Sequence, residues 1–142
     1  MKVVACVLAT TLLAAACGGG VSYRPVAEVD FDRLLDKGCT RADDRFAVTA
    51  QINAAYRETI VLWDGRDGSR TVAVTLPEEG LGSKMRGVIG DSRYDLSLER
   101  LTQLRDRGTP VTINLRCERA GAAPTADRFS YMDDGQRIEF EF

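Results

Sequence analysis

A chain of 142 residues has room for one domain of ordinary size. Hydrophobic residues make up 44% and charged residues 28% of it, which excludes a wholly disordered protein. The net charge is −2 and histidine is absent, so the composition argues against a nucleic-acid binder and removes the commonest general base and metal ligand.

The first residues of the chain have the pattern of an export signal. Lys2 is followed by an uninterrupted apolar and small-residue run over residues 3–16. This run is too short for a transmembrane span, which needs about 20 apolar residues. We therefore predict a signal peptide over residues 1–16.

The signal ends at a cysteine with small neighbours. Ala14, Ala15 and Ala16 precede Cys17, and three glycines follow it. This resembles the lipobox of bacterial lipoproteins, with the usual leucine displaced by one position to Leu13. The resemblance implies that Cys17 is lipidated and that its acyl chains anchor the protein in the bacterial cell envelope. An ordinary cleaved signal, with Cys17 in a disulfide, is the alternative.

The residue after Cys17 indicates to which envelope membrane a lipoprotein is transported. It is glycine rather than aspartate, and the resemblance then implies the periplasmic face of the outer membrane.

We predict that residues 17–28 are the lipidated cysteine and a flexible, glycine-led tether, and that residues 29–142 form the folded domain. At the start of this domain Asp30 is predicted to cap a short helix that ends at Gly38.

Five strands and a second helix are predicted in the rest of the domain. The strand patterns are an alternation over residues 46–52, a β-rich run over 59–63, and its return over 70–76 after the turn at 64–68. Ser97 is predicted to cap the second helix and Gly108 to end it. An alternating strand over 111–118 and a closing segment up to residue 142 complete the order strand, strand, strand, helix, strand, strand.

This order resembles the OB-fold, a five-stranded Greek-key barrel with a helix between strands 3 and 4. The stretches "RFAVTAQI" and "TPVTINLRC" in particular resemble those of small bacterial tRNA-anticodon-like OB proteins. The resemblance implies a mainly β (α+β) domain with a short N-terminal helix. Another small α+β sandwich with the same element order is the alternative. The OB-fold hosts nucleic-acid, oligosaccharide and protein binders, so it does not decide the function.

Two cysteines remain after export, because Cys6 leaves with the signal and Cys17 takes the lipid. In an oxidising compartment we predict a disulfide between Cys39 and Cys117. Such a bridge closes a loop of roughly 80 residues and contributes about 4 kcal/mol. Cys117 continues the apolar alternation of the strand over 111–118 and should face the core. Two free buried thiols are the alternative.

Four side chains are candidates for ligand binding. Tyr56 and Trp63 flank the strand region where OB-folds carry ligands, and aromatic rings there can stack on bases or sugars. Arg116 alternates away from the face of Cys117, and Arg116 and Arg119 are predicted to line the same groove. Hairpin packing for Trp63 and surface solubility for the arginines are the alternatives.

Catalytic and metal-binding motifs are not evident. The glycine-rich stretch at 80–85 lacks the ending of a phosphate-binding loop, and Ser83 has no Ser-x-x-Lys partner. Acidic pairs at 43–44, 78–79 and 133–134 lack the spaced ligands of a calcium loop. We therefore predict a protein that is not an enzyme and uses no cofactor or metal.

These observations predict a lipid-anchored envelope binding module. Its expected partners are the membrane, through the acyl chains on Cys17, and an envelope protein or glycan; no nucleic acid is expected. A periplasmic inhibitor or immunity lipoprotein that blocks a partner enzyme, with residues 78–95 inserting into it, is the alternative. A scaffold component would instead expose an extended apolar patch.

Overall fold

The computed structural model describes residues 26–77 and 96–142. In these residues the protein is mainly β, with two helices and six strands. The helices are α1 (Phe31–Lys37) and α2 (Leu98–Asp106). The strands are β1 (Arg45–Ala55), β2 (Thr59–Trp63), β3 (Thr71–Thr75), β4 (Val111–Arg116), β5 (Thr125–Asp133) and β6 (Gln136–Glu141).

One sheet contains all six strands, in the order β3-β2-β1-β4-β5-β6, and these neighbours are antiparallel. β1 lies at its centre, because its first half pairs with β4 and its second half with β2. β3 also pairs with β5, in parallel, at Thr75 and Thr125. The path from β3 through β2, β1 and β4 to β5 therefore returns to β3, and β6 extends the sheet beyond β5.

The prediction of five strands is wrong, because the closing segment of the chain forms two strands, β5 and β6. The turn between them has φ values of +46° at Asp134 and +78° at Gly135. Two successive positive φ values match the twist of a tight antiparallel hairpin. The chain therefore reverses at this turn, and β6 pairs with β5 along its whole length.

Alternate residues of the strands build one hydrophobic core. On β4, Val111, Ile113 and Leu115 are fully buried, and Cys117 continues the same face. Leu101 and Leu104 of α2 are buried with them, so the helix closes one side of the core. The largest fully buried side chains also include Phe129, Phe140, Leu34, Ile52, Ile60, Leu62 and Ile138.

Both helices begin and end where the sequence predicts. The Ser97 side chain accepts a hydrogen bond from the backbone N–H of Arg100, at 3.1 Å, and thereby caps α2. Gly108, with φ +61°, follows the end of α2. Asp30 precedes α1, although its side chain makes no capping hydrogen bond, and Gly38 ends this helix with φ +53°.

Residues 27–29 pair with the first half of β1, directly before α1. The backbone N–H of Ala47 donates to the carbonyl of Ala27 at 2.9 Å, and the N–H of Val29 donates to the carbonyl of Ala47 at 2.8 Å. Glu28 forms a parallel bridge with Ala47. The first half of β1 has β4 on one side only, so its other backbone groups need these partners.

Candidate functional site

Trp63 is the last residue of β2, and its side chain is half-buried. Its strand neighbour Leu62 is in the core, so alternation places Trp63 on the outward side of the sheet. Its cross-strand partners are Gln51 on β1 and Thr71 on β3. We call the surface that starts at this row the outward β2–β3 face; its side chains are Thr59, Val61, Trp63, Thr71, Ala73 and Thr75.

The outward β2–β3 face combines one large ring with small neighbours. Its other five side chains are threonine, alanine and valine, and none of the six is charged. A flat ligand can therefore approach the ring of Trp63 without steric hindrance from the side chains of this face, while threonine hydroxyls supply hydrogen-bonding groups. Stacking with a few hydroxyl contacts is the chemistry that this face offers.

Gln51 is a residue of this region that the sequence analysis missed. A Cβ atom placed on Gly65 would lie 3.0 Å from its Nε2, and one placed on Gly108 would lie 3.6 Å from its Oε1. The β2–β3 turn and the end of α2 therefore meet over the Gln51 amide, beside Trp63. The two glycines are each visible in the sequence as turn signals, but nothing in the sequence indicates that they share a neighbour.

The turn after Trp63 is ordered by two aspartates. One carboxylate oxygen of Asp64 accepts hydrogen bonds from the backbone N–H groups of Arg66, at 2.8 Å, and Asp67, at 3.2 Å. These bonds lower the pKa of Asp64 below its usual 3.8. The backbone N–H and hydroxyl of Ser69 bond the carboxylate of Asp67 and lower its pKa in the same way. Both carboxylates are therefore ionised at neutral pH, and with Arg66 and Arg70 they give the turn beside Trp63 charges of both signs.

Tyr56 lies at the far end of the β1–β2 pairing. Its side chain is 61% exposed, and its backbone N–H donates to the carbonyl of Thr59 at 2.8 Å in the turn between the strands. Tyr56 is five positions along the chain from Gln51, the β1 partner of Trp63, which corresponds to roughly 17 Å of extended strand. Tyr56 and Trp63 are therefore not neighbours, although an elongated ligand can span them.

The two arginine candidates lie away from this row. Arg116 is paired with Arg45 at the start of β1, six positions from the row of Trp63, or roughly 20 Å along the strand. Its Nε is 3.8 Å from a carboxylate oxygen of Asp127. Arg119 is exposed in the connection between β4 and β5. The structure does not bring Arg116 and Arg119 into one row with Trp63, and their role in binding stays a prediction.

The predicted disulfide between Cys39 and Cys117 is confirmed. The Cα atoms are 5.5 Å apart, and both residues are buried. Backbone hydrogen bonds surround the bridge: the N–H of Asp43 donates to the carbonyl of Cys117, and the N–H of Gly121 donates to the carbonyl of Cys39. The bridge therefore fastens the segment between α1 and β1 to the end of β4.

Metal-binding clusters and membrane-spanning helices are absent from the described residues. Across residues 26–77 and 96–142, histidine, cysteine and acidic side chains form no group of three or more that could hold a metal ion. No helix within these ranges is long and apolar enough to cross a bilayer. The predicted signal peptide, Cys17 and the inserting segment at 78–95 lie outside the described residues, so they stay predictions.

Comparison with known proteins identifies no family for this chain. The chain matches no protein family and no curated protein. A solved structure named as an aspartyl-tRNA synthetase from Leishmania major Friedlin is similar over 75% of this chain and 20% of that one, with 13% identity and a TM-score of 0.35. The chain thus spans about a fifth of that structure, and a likeness of this size supports neither a fold nor a function here.

Proposed function

We propose that this protein is a non-enzymatic, lipid-anchored binding module of the bacterial cell envelope. The anchor is the acyl group on Cys17, as the lipobox pattern implies. The disulfide between Cys39 and Cys117 fits an exported protein, because such bridges persist in oxidising compartments. The domain is an OB-like Greek-key barrel with α2 between β3 and β4, and the pairing of β3 with β5 supports its closure.

The ligand, a protein or glycan of the envelope, docks on the outward β2–β3 face. The observation that carries this proposal is the position of Trp63, a partly buried residue on a strand face whose other side chains are small and uncharged. An aromatic ring that packs against a ligand is the residue type that most often dominates a binding interface. The rigid turn at Asp64 and the packed amide of Gln51 hold the surroundings of this ring in place.

The test compares two variants of the full-length lipidated protein, solubilised in a non-ionic detergent. Wild type, Trp63→Ala and Met132→Ala are immobilised and incubated with an extract of their own cell envelope. Met132 is a matched control, because it is an exposed apolar residue, 56% accessible, on β5. We expect wild type and Met132→Ala to retain the same protein or glycan, and Trp63→Ala to bind it at least about tenfold more weakly.

Two outcomes contradict the proposal. If all three proteins retain the partner equally, Trp63 has no role in binding. If none of them retains any specific partner, the protein is not a binding module. If the retained partner is an enzyme that loses activity on binding, the protein is an inhibitor and not a simple binding module.

A further inference from the structure

A concave site lies between α1 and the start of β1. Its volume is about 200 Å³, which is smaller than the pockets that take drug-sized molecules. Its apolar wall includes Leu34 and Phe46, and its polar wall includes Arg33, Lys37, Thr40 and Arg45. We call this site the α1 cleft.

Three cationic side chains line the α1 cleft against one acidic side chain. Arg33 and Lys37 are four residues apart on α1 and therefore project from the same side of the helix. In the part of the chain that the structure describes, neither side chain forms an ion pair or hydrogen bond. Arg45 is 3.9 Å from Asp127, at the limit of an ion pair. The acidic residue, Asp44, accepts a hydrogen bond from the hydroxyl of Thr40.

This local excess of positive charge contrasts with the net charge of the whole chain, which is −2. We propose that the α1 cleft binds a phosphate group, with Arg33, Lys37 and Arg45 as its charged ligands. Arginine and lysine are the side chains that bind phosphate oxygens through charge-assisted hydrogen bonds. The apolar wall formed by Leu34 and Phe46 leaves room for the carbon skeleton attached to that phosphate.

The phosphate can belong to a membrane phospholipid or to a small soluble molecule. Ala27, which lines the α1 cleft, is ten residues after Cys17. An extended chain of that length reaches about 35 Å. A headgroup is therefore within reach of the cleft if Cys17 is the anchor; this choice of source rests on the proposed function, whereas the phosphate site itself does not.

The experiment uses the full-length protein reconstituted in nanodiscs. One set of nanodiscs contains only galactolipid, which has no phosphate, and the other also contains phosphatidylglycerol. Inorganic phosphate is titrated at constant ionic strength, and the amide resonances of residues 33, 37 and 45 are followed by NMR. The variant Arg33→Gln with Lys37→Gln is compared with the control Arg57→Gln with Arg66→Gln, which removes the same charge from exposed positions outside the cleft.

In galactolipid nanodiscs we expect a saturable shift of the cleft amides, with an affinity about tenfold lower in the cleft variant and unchanged in the control. Amides that are already shifted by phosphatidylglycerol, with no further effect of phosphate, identify a lipid headgroup as the ligand. Equal titrations in both nanodiscs identify a soluble phosphate. The proposal is overturned if no saturable shift occurs or if the control loses as much affinity as the cleft variant. Trp63→Ala should leave this phosphate titration unchanged. The test of the α1 cleft is therefore independent of the test of the outward β2–β3 face.

Discussion

Arg70 donates a hydrogen bond through Nη2 to Oδ1 of Asp32 over 2.5 Å, although the two residues are 38 positions apart in the chain. Its Nη1 also lies 3.7 Å from Asp64. The hydrogen bond and charge of Asp32 raise the pKa of Arg70 above its usual value, so the guanidinium is always charged. The β2–β3 turn beside Trp63 is thereby joined to α1, the helix that carries the charged wall of the α1 cleft.

The aspartates of this turn predict a loss of stability in acid. Their folded-state pKa lies below the unfolded value of 3.8, so the unfolded chain binds more protons when the pH falls below that value. The stability that Asp64 and Asp67 contribute is complete above the unfolded pKa and is lost as the pH falls through the lower folded pKa. We expect the thermal midpoint to decrease in this window and Asp64→Asn to weaken that decrease.

The measurement is thermal unfolding as a function of pH. Glu118→Gln serves as the control, because it removes an exposed carboxylate outside the turn. If the thermal midpoint decreases equally steeply with falling pH in wild type and in Asp64→Asn, the turn does not contribute to the loss of stability in acid.

Removal of the disulfide should destabilise the folded protein by about 4 kcal/mol, because the reduced unfolded chain gains the entropy of a long open loop. The double variant Cys39→Ala with Cys117→Ala is compared with wild type by urea unfolding. Wild type in a reducing agent should unfold at nearly the same urea concentration as the double variant. A reducing agent that leaves the wild-type midpoint unchanged would contradict a structural role for the bridge.

The two helix starts offer a matched pair of substitutions. Ser97→Ala should destabilise the protein by about 1 kcal/mol, because it removes the side-chain oxygen that accepts from the N–H of Arg100. Asp30→Ala should have a smaller effect, because the Asp30 side chain makes no capping bond. Chemical unfolding of both variants tests the difference, and equal losses would argue against the observed cap geometry.

Two glycines with the same φ of +78° separate backbone strain from crowding. Gly135→Ala meets no atom within 4 Å and should cost about 1–2 kcal/mol, which is the strain of a left-handed alanine. Gly65→Ala adds a contact of 3.0 Å with the amide of Gln51 and should cost more. In a Gln51→Ala background the two costs should become equal. A difference that survives this background would mean that Gln51 is not the crowding partner.

Local features of the fold could be predicted because one stretch of chain contains their cause. Ser97 and Gly108 mark the ends of α2 by side-chain capping and by a positive φ, both of which act within a few residues. The alternation of Val111, Ile113 and Leu115 identifies a strand and its buried face. The same alternation correctly placed Cys117 in the core, and the compartment implied by the leader then indicated its pairing with Cys39.

The sequence by itself determined the helix ends, the strand from Val111 with its buried face, and the disulfide, whereas the tertiary structure alone decided the number of strands and which distant elements meet. A period of two tells which side of β2 is outward, but not that Trp63 stands between Gln51 and Thr71. The return of β3 to β5, the docking of residues 27–29 on β1 and the α1 cleft likewise join segments far apart in the chain. Such contacts form when the whole core packs and the backbone groups left over find partners, and no local pattern encodes that outcome.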